Sequence, residues 1–196
     1  SLAYAYQTGT EIPKNNAEAM RWLLKAAQQG GASHQFDAGW AYNSGKIVAG
    51  NNLEAVKWYK LAAAQGHAGA QNNLGAMYDD GDGVTKDDRE AVKWYRLSAE
   101  QGNANAQKNL GRMYDDGEGV PENDGEAVNW YRLAAEQGNS SAQFRLALAY
   151  ALGRGLPKDY AESYFWYSIA AAAGEESAAE ARDIARERLT QGQVEK

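Results

Sequence analysis

Few side chains in this 196-residue chain are of types that do chemistry unaided. It has no cysteine and two histidines, His34 and His67. Thiol nucleophiles, Cys-ligated zinc or iron–sulfur centres and disulfide scaffolds are thereby excluded. No G-x-S-x-G elbow exists to expose a serine. Carboxylates remain. Asp79, Asp80 and Asp82, and again Asp115, Asp116 and Glu118, crowd two glycine-rich stretches and invite a calcium reading. A calcium loop of the EF-hand type needs alternating oxygen ligands closed by a bidentate glutamate at its twelfth position. Glycines interrupt that series here, so solvated turns are expected. The run GWAYNSGK from Gly39 to Lys46 has one residue too many between its glycines for a phosphate loop, and Ile47 follows where Ser or Thr belongs. It reads as a helix end and turn. Abundant carboxylates in turns do not make a desolvated catalytic pair. No catalytic residue, metal or cofactor is expected.

The elements that hold these residues are set by a repeat. Trp22, Trp58, Trp94, Trp130 and Trp166 recur every 36 residues, and so do Gly30, Gly66, Gly102, Gly138 and Gly174. The divisions are 1–31, a repeat missing its beginning, then 32–67, 68–103, 104–139 and 140–175, with a tail over 176–196. A period of 20 to 50 residues signals stacked supersecondary units, each touching only its neighbours. Ala70, Leu74, Met77 and Tyr78 fall on one helical face, as do Ala55, Trp58, Tyr59, Ala62 and Ala63. Each unit is therefore two helices and the fold is all-α. Glycine in YDDGDGV and YDDGEGV stops the first helix. Asn15, Asn51, Asp87, Asn123 and Asp159 each precede a glutamate by three residues, the spacing of a capping box at the start of the second. Gly39, Gly75 and Gly111, with Ala3 and Ala147 in the end units, remove bulk where helix axes approach. The recurring indoles are expected to fill the space between units.

The pattern A-x-A-Q-x-x-L-G-x-x-Y-x-x-G-x-G-V followed by A-x-x-W-Y-x-x-A-A-x-x-G resembles the Sel1-like repeat, a relative of tetratricopeptide repeats. The fullest copies start at Ala68 and Ala104, and the match runs over residues 1 to 175. The resemblance implies a right-handed α/α superhelical solenoid whose first helices line a concave surface, used as an adaptor; many bacterial members are exported, so a periplasmic or secreted protein is implied. TGTEIP in the first unit and SGKIVAG in the second depart from the double-glycine turn. Over 176–196, Ala178, Ala181, Ile184, Ala185 and Leu189 form one stripe, which reads as a capping helix.

Residues that vary on this constant scaffold are where specificity is expected. Trp40 lies outside the tryptophan register, at the position of Tyr4, Ala76, Arg112 and Leu148; one helical turn earlier stand Phe36, Asn72, Lys108 and Phe144. On first helices facing a groove, these pairs form one stripe. Phe36 and Trp40 either anchor a partner or pack on the incomplete first unit. His34 replaces Ala70, Ala106 and Ala142 and reads as a structural accommodation. His67 replaces Gly31, Asn103 and Asn139 and reads as an exposed loop residue. The net charge is -6, with the acidity concentrated in 68–139, which disfavours nucleic acid. No apolar run reaches the ~20 residues of a bilayer span. The expected partner is a protein or peptide segment with apolar anchors and carboxylates to meet Lys108 and Arg112, bound by a monomer. The alternative is a carbohydrate-associated module that stacks sugars on Tyr4 and Trp40. A chain starting at Ser1 reads as a fragment or processed form.

Overall fold

The structure is a computed structural model that describes residues 2–9 and 13–194. The helices are α1 (Leu2–Thr8), α2 (Asn16–Gln28), α3 (Ala32–Ser44), α4 (Asn52–Ala64), α5 (Ala68–Asp80), α6 (Asp88–Glu100), α7 (Ala104–Asp116), α8 (Asp124–Glu136), α9 (Ser140–Leu152), α10 (Tyr160–Ala172) and α11 (Ala178–Val194). No strand occurs among the described residues. The chain forms two compact units, Ser1–Gln101 and Gly102–Lys196. The first holds α1 to α6, the second α7 to α11, and in each the hairpins pack in sequence, helix on next helix. This is the all-helical repeat architecture of a solenoid protein.

Every second helix starts as its sequence dictates. The Asn15, Asn51, Asp87, Asn123 and Asp159 side chains accept from the backbone N–H three residues on, at 3.1 to 3.2 Å. Three of the glutamates at those N–H positions pair along the helix instead of reaching back. Glu18 pairs with Arg21 at 2.8 Å, Glu54 with Lys57 at 2.5 Å, and Glu90 with Lys93. The cap N–H that such a glutamate would reach is already donated to the carbonyl of Tyr6, Tyr42, Tyr78, Tyr114 or Tyr150 at 2.9 to 3.0 Å, while the carboxylate still favours the positive helix end.

In the four hairpins from α3 onward, the deepest aromatic residue is the tyrosine that follows the tryptophan. Tyr59 is fully buried, and Tyr95, Tyr131 and Tyr167 are 2 to 3% exposed. The small residue opposite makes room: a Cβ on Gly39 would lie 2.6 Å from the Tyr59 ring, and one on Gly75 would lie 2.7 Å from Tyr95. The indoles lie half-buried one layer out. Trp58 rests on the cluster of Met20, Leu23, Ala27, Ala38 and Ala41. Trp94 rests on the cluster around Val56, Leu74 and Met77, and Trp166 on that around Val128 and Leu146. Each of these indoles covers the preceding hairpin, as expected, but the tyrosine and not the tryptophan is the innermost ring.

The turns differ as their sequences do. Gly83 has φ +69, and a Cβ there would lie 2.5 Å from the Asn52 carbonyl, so the second glycine is required by the backbone passing beside it. Ile47 occupies that position in the second repeat, and no non-glycine residue among those described adopts positive φ; the loop from Gly45 takes a different course. Of the TGTEIP departure, residues 10–12 lie outside the described residues. In α11, Ala178 and Ala185 are buried against Ala147, Tyr167 and Ala170. Ile184, expected on that stripe, is 52% exposed because the contact is narrower than the sequence stripe. No described helix is long and apolar enough to cross a membrane.

Candidate functional site

The varying first-helix positions do not share one environment. Tyr4 and Trp40 line one cavity of about 470 Å³ in the first unit, together with Gln7, Trp22, Leu23, His34 and Asp37. Tyr4 is 63% exposed, and Lys46 Nζ lies 5.5 Å over the half-buried Trp40 ring. Phe36 is not in that cavity. Its ring is half-buried, stacked on His67 at 4.6 Å and tilted against Tyr59 at 5.9 Å. Asn72 donates to the Asn73 side chain at 3.1 Å, and Ala76 is half-buried beside it on α5.

In the second unit, Lys108, Arg112 and Phe144 converge with Tyr131, Ser141, Arg145 and Glu175 on a second cavity of about 320 Å³. Arg112 is held by Glu118 at 2.5 Å and Asp116 at 3.6 Å, and Phe144 packs on Tyr167 at 5.2 Å. Three cationic side chains line this cavity beside a half-buried aromatic ring, two of them, Arg112 and Arg145, held in ion pairs with carboxylates. Leu148 packs half-buried near Tyr167 instead and does not reach it.

The acidic stretches are in part the solvated side chains their sequence suggests, with Asp80, Asp82 and Asp116 exposed, but two carboxylates are taken up by the fold. Asp79 and Asp115 sit in the last turns of α5 and α7, and their carboxylates accept from the Tyr95 and Tyr131 hydroxyls at 3.1 and 3.3 Å. Asp115 also meets Arg154 at 3.1 Å and Arg145 at 3.6 Å, and Arg154 bridges on to Asp124 at 2.7 Å. These carboxylates secure hairpins. No group of three or more metal-ligating side chains occurs among the described residues. Burial pushes the phenols of Tyr59, Tyr131 and Tyr167 up; for Tyr131 the Asp115 charge adds to it, and Tyr167 reaches about 12.

The helical repeat has counterparts among known proteins. The Sel1 repeat profile matches residues 1–31, 35–67, 68–103, 104–139 and 140–175. The chain belongs to the Sel1 repeat family. A Sel1 repeat protein from Oxalobacter formigenes is 40% identical with a TM-score of 0.84, over 90% of this chain and 70% of its own. A protective antigen of uropathogenic Escherichia coli displaying an SLR fold is 39% identical with a TM-score of 0.86 over 90% of this chain; the match spans only 38% of that antigen. Helicobacter pylori cysteine rich protein B, at 22% identity and a TM-score of 0.52, shares the fold over 68% of this chain and 96% of its own. No curated protein matches the chain. Sel1 repeat proteins are generally protein-interaction scaffolds and typically non-catalytic.

Two structural roles in these Sel1 repeats escape the residue-type reading. His67 is a half-buried N-cap, not an exposed loop residue. Its Nδ1 accepts from Ala70 N–H at 3.2 Å, as the Asn103 and Asn139 side chains accept from Ala106 and Ala142. The substitution of His for Asn at a cap register was the available signal. The second role belongs to buried glutamines. Gln71 Nε2 donates to Ala63 O at 3.2 Å, and its Oε1 accepts from Gln101 Nε2 at 2.6 Å, tying three helices. Gln35 does the same with Ala27 and Gln65. Their 36-residue recurrence marked them in sequence. Gln71→Leu removes both bonds while Gly66 N–H still reaches Ala63 O and Gln101 still donates to Leu97 O, and it is expected to lower stability by about 0.5 to 1.5 kcal/mol, as chemical denaturation would measure.

Proposed function

We propose that this chain is a non-enzymatic scaffold that holds a segment of a partner protein against the faces of its first helices. The observation that carries the reading is the placement of variable side chains on a constant frame. Lys108, Arg112 and Phe144 stand at repeat positions occupied elsewhere by Asn72, Ala76 and Phe36, and they meet at one cavity that Arg145 also lines. Lys108, Arg112 and Arg145 beside an aromatic floor fit an acidic segment with an apolar anchor, whose carboxylates exchange for the intramolecular partners of the arginines: charge complementarity sets selectivity and encounter rate, and the buried anchor sets residence time. The adaptor habit of Sel1 repeat proteins supports the same reading. α11 serves as the C-terminal cap, supported by the burial of Ala178 and Ala185 on the last hairpin. The protective antigen among the relatives supports an exported bacterial setting.

The test is retention of peptides from a library of acidic-aromatic and neutral sequences by the intact chain. Lys108→Glu is expected to weaken acidic binders by tenfold or more with unchanged helical circular dichroism, and added salt is expected to weaken the parent in the same direction. A response to soluble glycans alone, abolished by Trp40→Ala, would overturn the reading in favour of a carbohydrate module.

A further inference from the structure

The 470 Å³ cavity of the first unit has an explanation in the repeat register, and that explanation says what fits it. Thirty-six residues before Tyr59, the chain carries Leu23. Tyr59, Tyr95, Tyr131 and Tyr167 each seat a phenol deep in their hairpins; the first hairpin alone has a shorter aliphatic side chain at that position. The other residues around the cavity are those of a tyrosine seat. Ala3 stands at the register of Gly39, the residue that lies under the Tyr59 ring. Ala147 occupies that register beside the buried Tyr167, so a methyl group does not close the seat. Ala19 stands at the register of Ala55, which is buried with Tyr59 in one cluster.

The polar residues agree. In three of the other hairpins the phenol hydroxyl meets a polar side chain at one of two registers. Tyr59 accepts from Asn73 Nδ2 at 3.1 Å, while Tyr95 and Tyr131 donate to Asp79 and Asp115. The corresponding residues of the first hairpin are Asp37, at the register of Asn73, and Gln7, at the register of Asp79 and Asp115. Both line the cavity. Trp22, Trp40 and Tyr4 add aromatic walls, and the volume lies within the range of small-ligand pockets.

We infer that this cavity is a vacant tyrosine seat, and that it binds a tyrosine side chain supplied in trans by the partner segment. The inference deepens the scaffold reading and rests on it for the source of the ring. The ring enters between Trp22 and Trp40, with its hydroxyl donating to Asp37 and accepting from Gln7. The donated bond to a carboxylate sets the preference for tyrosine over phenylalanine.

The experiment uses p-cresol, the isolated tyrosine side chain, with toluene as the ring without its hydroxyl, titrated into the intact chain and read by indole and histidine NMR shifts. Saturable shifts at Trp22, Trp40 and His34 are expected, with p-cresol favoured over toluene by about tenfold, a preference that Asp37→Leu removes while toluene still binds. Leu23→Tyr supplies the ring in cis. It is expected to abolish p-cresol binding and raise the melting temperature; Leu23→Phe is the second blocking variant should the first misfold. A parent that shows no saturable shifts, or p-cresol binding that persists in a folded Leu23→Tyr or Leu23→Phe chain, overturns the seat. Peptides retained through Lys108 but indifferent to Leu23→Tyr would sink the seat in trans and leave the scaffold standing. Saturable p-cresol binding with no peptide retained at all would sink the scaffold reading and, with it, the partner as the source of the ring.

Discussion

Tyr59→Ala is expected to lower stability by about 3 to 5 kcal/mol, the cost of replacing a fully buried aromatic side chain with a methyl group where the surroundings relax only in part. The packing around the ring makes relaxation difficult. Gly39 approaches within a distance no side chain would tolerate, and Phe36 leans on the ring from α3. Asn73 on α5 donates to the hydroxyl, so the same residue ties its hairpin to the next. In an array whose stability is a sum of units and their interfaces, the loss falls on both terms. Urea denaturation followed by circular dichroism measures it, and a second transition in the mutant would show that the break falls between hairpins. Tyr59→Leu is the internal control. The first hairpin is built around Leu23 at this register, so the leucine variant should lose less than the alanine variant and acquire a cavity of its own. Equal losses in the two would show that the ring's shape is not what the seat selects.

That tyrosine also shows which features could be read from residue types and which could not. The 36-residue step is visible in single letters, because a solenoid repeats its contacts as it repeats its sequence, and the five Asx caps and the small residues opposite the rings follow from the same periodicity. Which of two adjacent aromatics goes deepest does not follow. Trp58 and Tyr59 are neighbours on one helix, and a rotation of about 100° separates their directions; only the position of Gly39 across the hairpin puts the tyrosine inside. The site was less legible. Phe36 and Trp40 lie one turn apart on α3, yet Phe36 is taken up by His67 and Tyr59 while Trp40 lines the cavity. Helical spacing places side chains on a stripe and cannot say which of them a following repeat will cover. Lys108, Arg112 and Phe144 do meet, because successive hairpins bring the α7 and α9 stripes alongside each other. The cavity beside Leu23 was legible only as a missing letter in the tyrosine column.

Alkaline pH should unfold this protein more readily than its charge alone suggests. Tyr167 is 3% exposed, and burial raises its phenol from the ordinary 10 to about 12, while Tyr59 and Tyr131 move in the same direction for the same principal reason. A phenolate in those seats would be desolvated, and in Tyr131 it would also face the Asp115 carboxylate. Between pH 10 and 12 the unfolded chain therefore releases the Tyr167 proton while the folded chain holds it longer, and Tyr59 and Tyr131 act in the same direction. With more protons bound in the native state, the free energy of unfolding falls as pH rises. The contribution is complete below pH 10 and is lost as pH climbs through the folded value. For Tyr167 alone the two-unit displacement corresponds to on the order of 2 kcal/mol by pH 12. Urea midpoints measured from pH 8 to 12 should stay level to about 10 and then drop steeply, with phenolate absorbance rising in step with the loss of helix. Burial alone shifts Tyr167, so Tyr167→Phe should leave stability at pH 8 nearly unchanged and shift the alkaline transition upward. An alkaline transition unmoved by that substitution would mean that the phenol is solvated in the folded chain, contrary to the seat these hairpins share.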